Sequence, residues 1–311
     1  MRRLSQVERP PRCPENDKQA AEVWRAATKL TLDELLGPWP IPVAPEFEVL
    51  SESLVDDGAG VTRREVVFDS EVDMSVPASI LMPDGAPAVA AGAPAILAIH
   101  GHGPGRSEAV DWGIEWARAG FVVLAPDLRG FGEREELSWD DKYWCDLNAV
   151  SGQMFGVSPL TQNLWDLRGC LDVLASLPEV DATCIGAAGF SYGGTCTLFL
   201  AAVDDRVRAA VVSGYLASWA EAHKMPANMC GSQVLPGLFG RLEHGDLGAL
   251  VSPRALFVES CREDYLFPWQ TAAEEVEHLR RLGGVVEHHI HDGDHQWVGE
   301  GVLEFFQHRL G

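Results

Sequence analysis

The 311-residue chain holds 46 acidic against 24 basic side chains, a net charge of −22, and 46% of it is apolar. A core of domain size is therefore available, while the acidity argues against nucleic acid or an anionic membrane as partner, since both require a basic face. Its seven cysteines, Cys13, Cys145, Cys170, Cys184, Cys196, Cys230 and Cys261, show no C-x-x-C spacing and no small disulfide framework, so reduced thiols are expected.

Residues 1–45 read as an N-terminal arm. The start, Met1-Arg2-Arg3-Leu4-Ser5 and on to Lys18, lacks the apolar segment of a secretory signal, and no run of about 18 apolar residues occurs, so a soluble cytoplasmic protein is expected. A helical pattern covers Lys18–Lys29 and continues through Leu36 until Gly37-Pro38-Trp39-Pro40, with Pro42 and Pro45, breaks it. Residues 46–311 read as one α/β domain. Phe47–Leu54, Val61–Phe68 and Val76–Met82 alternate between the turn signals Asp56-Asp57-Gly58 and Asp69-Ser70, as antiparallel strands do.

From Pro94 the pattern changes to short continuous apolar runs, Ala95–His100 and Phe121–Ala125, with a helical segment between them, as expected for strands buried on both faces of a parallel sheet. The alternation goes on with helix Leu160–Leu177, strand Cys184–Ala188, helix Thr195–Ala202, strands Val207–Ser213, Ala255–Ser260 and Val285–Ile290, and helices near Trp269–Leu282 and Val298–Leu310. A mostly parallel central sheet with helices on both faces follows, preceded by antiparallel strands. Two stretches interrupt it. Residues 129–155 form a polar, turn-rich excursion with Trp139, Tyr143 and Trp144, and residues 216–248 are glycine-rich with Trp219, His223, Met225, Met229 and Cys230. Both leave from the carboxyl ends of strands, the edge where open α/β sheets bind ligands, so they are the expected walls of a substrate pocket.

The chain's chemistry centres on Gly189-Phe190-Ser191-Tyr192-Gly193-Gly194, a G-x-S-x-G pattern between a strand and a helix. A serine on so tight a turn projects its hydroxyl alone, and side chains at the flanking glycines would collide with the neighbouring elements. Because a serine hydroxyl is a weak nucleophile, Ser191 needs a base and a group to orient that base. His295, between the last strand and the last helix, is the expected base, with His291 its competitor at the strand's end. The loop after the preceding strand, Glu259 to Pro268, supplies the acid; Asp264 fits best, with Glu263 and Glu259 as alternatives. Ser, Asp and His in that order suit such a sheet edge. For a developing oxyanion, the backbone N–H of Tyr192 opens a helix, and the loop His100-Gly101-His102-Gly103-Pro104-Gly105 offers the N–H of His102, with Gly103 as the alternative.

Ile99–Gly103, Ala125–Arg134, Gly189–Gly194, Arg262–Pro268 and Gly293-Asp294-His295 together make the chain, from about Val61 to its end, similar to the α/β-hydrolase superfamily. Within it the segments resemble the dienelactone-hydrolase and acetyl-xylan-esterase-like branch. Dienelactone hydrolases carry cysteine where this chain has Ser191. The resemblance implies that residues 46–311 are an α/β-hydrolase catalytic domain, that Ser191, Asp264 and His295 are nucleophile, acid and base, and that the activity is cofactor-free hydrolysis of a small-molecule or acetyl-carbohydrate ester. The same machinery serves peptide or C–C bond hydrolysis. Two readings of other classes stand beside it, a non-catalytic binding scaffold and a metal-dependent hydrolase built on His288, His289, His291, Asp292, Asp294 and His295. Strand alternation opposes the metal reading by sending His288 to one face and His289 and His291 to the other.

Overall fold

In the computed structural model, which describes residues 10–40, 46–55, 60–83, 92–135, 144–219 and 230–311, the apolar runs become strands of one nine-stranded sheet. The expected turn at Asp56-Asp57-Gly58, the start Met1–Ser5, Pro42, Pro45, Trp139, Tyr143, His223, Met225 and Met229 lie outside the described residues. Strands β1 (Phe47–Leu54), β2 (Val61–Glu71) and β3 (Met74–Pro83) form an antiparallel ribbon that joins β5 (Val122–Pro126) through β3. The parallel part is β5, β4 (Ala93–Ile99), β6 (Val180–Phe190), β7 (Val207–Ser213), β8 (Ala255–Cys261) and β9 (Val286–His291), in that spatial order.

Because strand side chains alternate, the parallel strands β4 to β8 each feed two cores. Ile96 and Ala98 of β4 with Ala209 and Val211 of β7 meet α2 (Arg106–Arg118) and α8 (Val302–Leu310), whose Trp116, Phe305 and Phe306 are buried there. Ala95, Leu97 and Ile99, with Ala210 and Val212, face the other core, which contains residues of α4 (Pro159–Ser176), α5 (Tyr192–Val203), α6 (His244–Val251) and α7 (Trp269–Arg281). Helix α5 is buried from Tyr192 to Ala202, which explains its lack of a polar face. Helix α1 (Lys18–Leu36) starts where Asp17 accepts the Ala20 N–H at 3.0 Å and ends at Gly37 (φ 78°) before Pro38. It docks on the body through Arg25 Nε, 3.2 Å from the Ala249 carbonyl oxygen, and through the Leu36 carbonyl, which accepts from Thr161 Oγ1 at 2.7 Å.

Element boundaries differ from the sequence expectation at several points. The turn expected at Asp69-Ser70 falls inside β2, which runs on to Glu71 across a register shift between Asp69 and Glu71, and the chain reverses instead at Val72-Asp73, where Asp73 takes φ 62°. Strand β6 begins at Val180 rather than Cys184, its polar start Asp181-Ala182-Thr183 lying toward solvent. The last helix begins at Val302 rather than Val298, because Gly299 (φ 76°) and Gly301 (φ 83°) take left-handed backbone ahead of it. The excursion 129–155 contains a helix, α3 (Trp144–Met154), and 216–248 contains the start of α6, where Glu243 and Asp246 cap reciprocally. Among the described residues no helix is long and apolar enough to cross a membrane.

The strand order decides where a site can form. From β4 the chain passes to β5 on one side and then to β6 on the other, so the loops after β4 and β6 diverge from adjacent strand ends, with Ile99 paired to Gly189. The loops after β8 and β9 open at the same sheet edge, since β6, β7, β8 and β9 are successive parallel neighbours.

Candidate active site

Ser191 stands between the last residue of β6 and the first of α5 with φ 53° and ψ −113°, left-handed backbone that a residue with a Cβ adopts only under strain. The strain is held from both sides. Its N–H donates to the Ser213 carbonyl on β7 at 2.9 Å, and its own carbonyl accepts from Thr195 N–H at 2.9 Å. The flanking glycines are required by contact: a Cβ on Gly189 would overlap the Gly193 carbonyl, one on Gly193 would overlap the Ile99 carbonyl, and one on Gly194 would lie 2.7 Å from the Ser213 carbonyl oxygen.

The three predicted side chains meet. His295 Nε2 is 2.8 Å from Ser191 Oγ, and His295 Nδ1 is 2.7 Å from Asp264 Oδ2. Asp264 is held from the far side, its Oδ1 accepting from Leu266 N–H at 2.8 Å and Phe267 N–H at 3.0 Å, so the carboxylate is aimed before any ligand arrives. With Oδ2 as acceptor, His295 carries its proton on Nδ1 and offers the Nε2 lone pair to the serine hydroxyl. The Phe190 ring, 4.8 Å from the imidazole, packs against it, and Gly214 (φ 58°) leaves the room, since a Cβ there would meet Phe190 at 2.9 Å.

The alternatives take other roles. Glu263 is exposed. Glu259 is buried beneath the loop that follows His295, where it accepts from Ser213 Oγ at 2.6 Å, Gly299 N–H at 2.7 Å and Val298 N–H at 3.2 Å. His291 faces Glu259 at 3.4 Å instead of the serine. His288 meets Ser260 Oγ at 3.0 Å while the His289 ring lies 4.5 Å from Phe257, so neighbouring histidines of β9 serve opposite faces.

One backbone donor directly follows Ser191 in the chain. Tyr192 opens α5, where the first N–H groups have no acceptor within the helix. In the loop after β4, Gly101 N–H is committed to Glu108 Oε2 at 2.6 Å. Burial pushes the Glu108 carboxyl above its ordinary range, and the Gly101 N–H only partly offsets this. The loop's shape is fixed from beneath. His100 is wholly buried with Nε2 accepting from Leu128 N–H at 3.0 Å, so Nδ1 bears the proton and donates to the Gly101 carbonyl at 2.7 Å; burial lowers its pKa to about 4 and keeps it neutral.

Asp127 binds the loop's other end, accepting Arg106 N–H at 2.7 Å and the Arg106 guanidinium, while Gly105 (φ 97°) and Gly132 (φ 57°) make space for its carboxylate. Behind it, Arg129 grips Asp166 of α4 with two bonds of 2.7 and 2.6 Å. Burial alone would raise the Asp166 pKa, but Arg129 and Arg134 outweigh it and hold the carboxyl below the ordinary value. These supports escaped the sequence reading; the one available signal was Ala125–Arg134, a charged run on the end of an apolar strand.

The His102 side chain reaches the two insertions. Its Nε2 lies 3.0 Å from Cys145 Sγ on α3, and its ring meets Phe131 edge-on at 5.1 Å. Cys230 completes the cluster: one ligand atom of each of the three residues lies within 4.8 Å of the others. The Cys145 thiol and the His102 ring hold the Cys230 thiol well below its ordinary range, against the effect of burial.

A sheet of this order, with the serine turn after β6 and its histidine after β9, is the α/β-hydrolase fold. The chain belongs to the acetyl xylan esterase (AXE1) family, which it matches over residues 55–230. The acetyl xylan esterase of Paenibacillus sp. R4 shares the fold at 18% identity with a TM-score of 0.65, covering 100% of this chain and 99% of that one. The glucuronoyl esterase of Solibacter usitatus does so at 17% identity and a TM-score of 0.73, covering 99% of this chain and 100% of that one. By sequence, 128 residues are 32% identical to dipeptidyl-peptidase 5 of Porphyromonas gingivalis, 39% of this chain but 16% of that protein's length. The chain thus spans a small part of that curated relative.

Proposed function

We propose that this chain is a serine esterase that cleaves small carboxylic esters, acetylated carbohydrates among them, through an acyl-enzyme. The observation that carries the reading is the continuous chain from Ser191 Oγ to His295 Nε2 at 2.8 Å and from His295 Nδ1 to Asp264 Oδ2 at 2.7 Å, on a strained turn. Ser191 Oγ attacks the acyl carbonyl as His295 takes its proton, and Asp264 stabilises the imidazolium so formed. The N–H groups of Tyr192 and His102 receive the oxyanion, a contribution of about 3 kcal/mol for each such donor. Collapse gives the alcohol the proton held on His295 Nε2. Water, activated by the same nitrogen, then releases the acid.

The acetyl xylan esterase family and the esterases that share the fold support an ester as substrate. In this reading residues 46–311 form the catalytic domain and residues 1–45 an arm braced on it. Purified protein is to be assayed on p-nitrophenyl acetate and acetylated xylo-oligosaccharides, with a dipeptidyl p-nitroanilide as comparison. Ser191→Ala is expected to abolish ester turnover, and a fluorophosphonate to label Ser191 in mass spectrometry. Turnover that survives in Ser191→Ala, or a label on another serine, refutes the assignment. Turnover of the anilide alone makes the chain a peptidase, like the relative matched over 128 residues.

A further inference from the structure

We infer that His102, Cys145 and Cys230 form a binding site for a thiophilic divalent cation of the zinc type, tying the loop after β4 to both insertions. The ligand atoms come from three separate segments: His102 from the loop that follows β4, Cys145 from α3, and Cys230 from the stretch leading into the turn Gly231–Gln233. They nevertheless lie within 4.8 Å of one another, with one imidazole nitrogen 3.0 Å from a sulfur. Bonds of about 2.0–2.1 Å to nitrogen and about 2.3 Å to sulfur put tetrahedral ligands roughly 3.5–3.8 Å apart, so shifts on the order of an ångström or less bring the three atoms onto one ion.

The cluster is also built in place. Cys145 is buried, and its carbonyl accepts from Ser232 Oγ at 2.7 Å, which binds α3 to the residues just after Cys230. The Cys230 carbonyl in turn accepts from Gln233 N–H at 3.0 Å, and Gly130 (φ 84°) packs its backbone directly on Cys145, where a Cβ would come within 3.2 Å of the Cys145 nitrogen. Two thiolates and an imidazole are ligands that select zinc-type ions over magnesium or calcium, and three protein ligands leave a fourth position for water or a small anion. A disulfide would need only the two cysteines; the imidazole beside Cys145 is what favours a metal. None of these residues belongs to the histidine-rich stretch at β9.

In the esterase reading, where the His102 N–H faces the oxyanion at Ser191, an ion here would also clamp that loop, and only this consequence rests on that reading. The test is made on the full chain, reduced with a phosphine, stripped by chelator and titrated with Co2+ without oxygen. Expected is a thiolate-to-cobalt charge-transfer band saturating at one ion per chain and displaced by Zn2+, with the visible bands of tetrahedral cobalt.

Cys145→Ser and Cys230→Ser are each expected to lose that band or weaken binding at least tenfold, while Cys184→Ser, on β6 and outside the cluster, keeps it. Circular dichroism checks the folding of each variant, and the unsubstituted chain's spectrum decides the matter even where a variant fails to fold. Absence of the band in the unsubstituted protein, its persistence in the Cys145→Ser/Cys230→Ser double variant, or a Cys145–Cys230 disulfide in the protein isolated without reductant would overturn the site. Binding is read without turnover, so failure of the site and failure of the esterase reading are distinguished.

Discussion

The carbonyl oxygen of Ile99, at the end of β4, lies against the α-carbon of Gly193, in the first turn of α5, so closely that no methyl group fits between them. Backbone on both sides leaves nothing flexible to yield. Gly193→Ala must therefore push α5 off the sheet and carry Ser191 and the Tyr192 N–H with it. The expected result is a loss of about 3 kcal/mol or more of stability, seen as a lower midpoint in thermal or urea unfolding, with ester turnover falling along with it.

Asp264→Asn separates chemistry from architecture. The asparagine oxygen can still accept from Leu266 and Phe267 N–H as Oδ1 does now, so the loop should hold. What changes is the atom facing His295 Nδ1, which becomes an NH2 group unable to accept its proton. The ring is then driven to the other tautomer and loses its lone pair toward Ser191. A fall in kcat of about 10³- to 10⁴-fold at an unfolding midpoint within a few degrees of the parent is expected. A large drop in midpoint would show Asp264 to be mainly structural.

The sequence carried the parallel sheet because Ala95–Ile99, Val122–Ala125 and Ala209–Val212 are apolar without interruption, a pattern that survives any detail of packing. It carried Ser191, Asp264 and His295 because the order of strands dictates which loops share an edge. Helix α3 was hidden, since among its described side chains Cys145 and Ala149 are buried while Val150 and Met154 are exposed, and much of its support is the Gly231–Gln233 turn, more than 70 residues on. The cluster of His102, Cys145 and Cys230 was unreadable for the same reason: only tertiary structure brings its three segments together.

Glu259 illustrates the limit differently. As a carboxylate near the serine it competes with Asp264 in sequence, yet its oxygens are taken by Ser213 Oγ, Val298 N–H and Gly299 N–H. Glutamine offers one acceptor oxygen for those three donors and turns its own N–H groups toward the rest. Glu259→Gln should cost about 1–3 kcal/mol, with a lower unfolding midpoint, and should loosen the segment that follows His295, reducing kcat several-fold. An unchanged midpoint would mean that the burial of Glu259 contributes little.

Two histidine rings neutralised by burial should make stability fall as the pH drops below about 6.5. His100 and His288 both have pKa values lowered by burial to about 4, from the ordinary 6.5; Arg106 and His102 add to the effect at His100 against the opposing Asp127, and Arg280 and His289 add to it at His288. Folded protein keeps both rings neutral down to about pH 4, whereas the unfolded chain protonates them near pH 6.5. Between those values the unfolded state binds more protons, so stability declines as the pH drops through the window, and above it the two rings contribute no slope. The loss is on the order of 3 kcal/mol per ring at most. Unfolding midpoints from pH 7.5 to 4.5 should decrease, and His288→Gln, which keeps a polar partner for Ser260 without a titrating ring, should flatten the curve. A slope identical in His288→Gln and the parent would assign the acid sensitivity elsewhere.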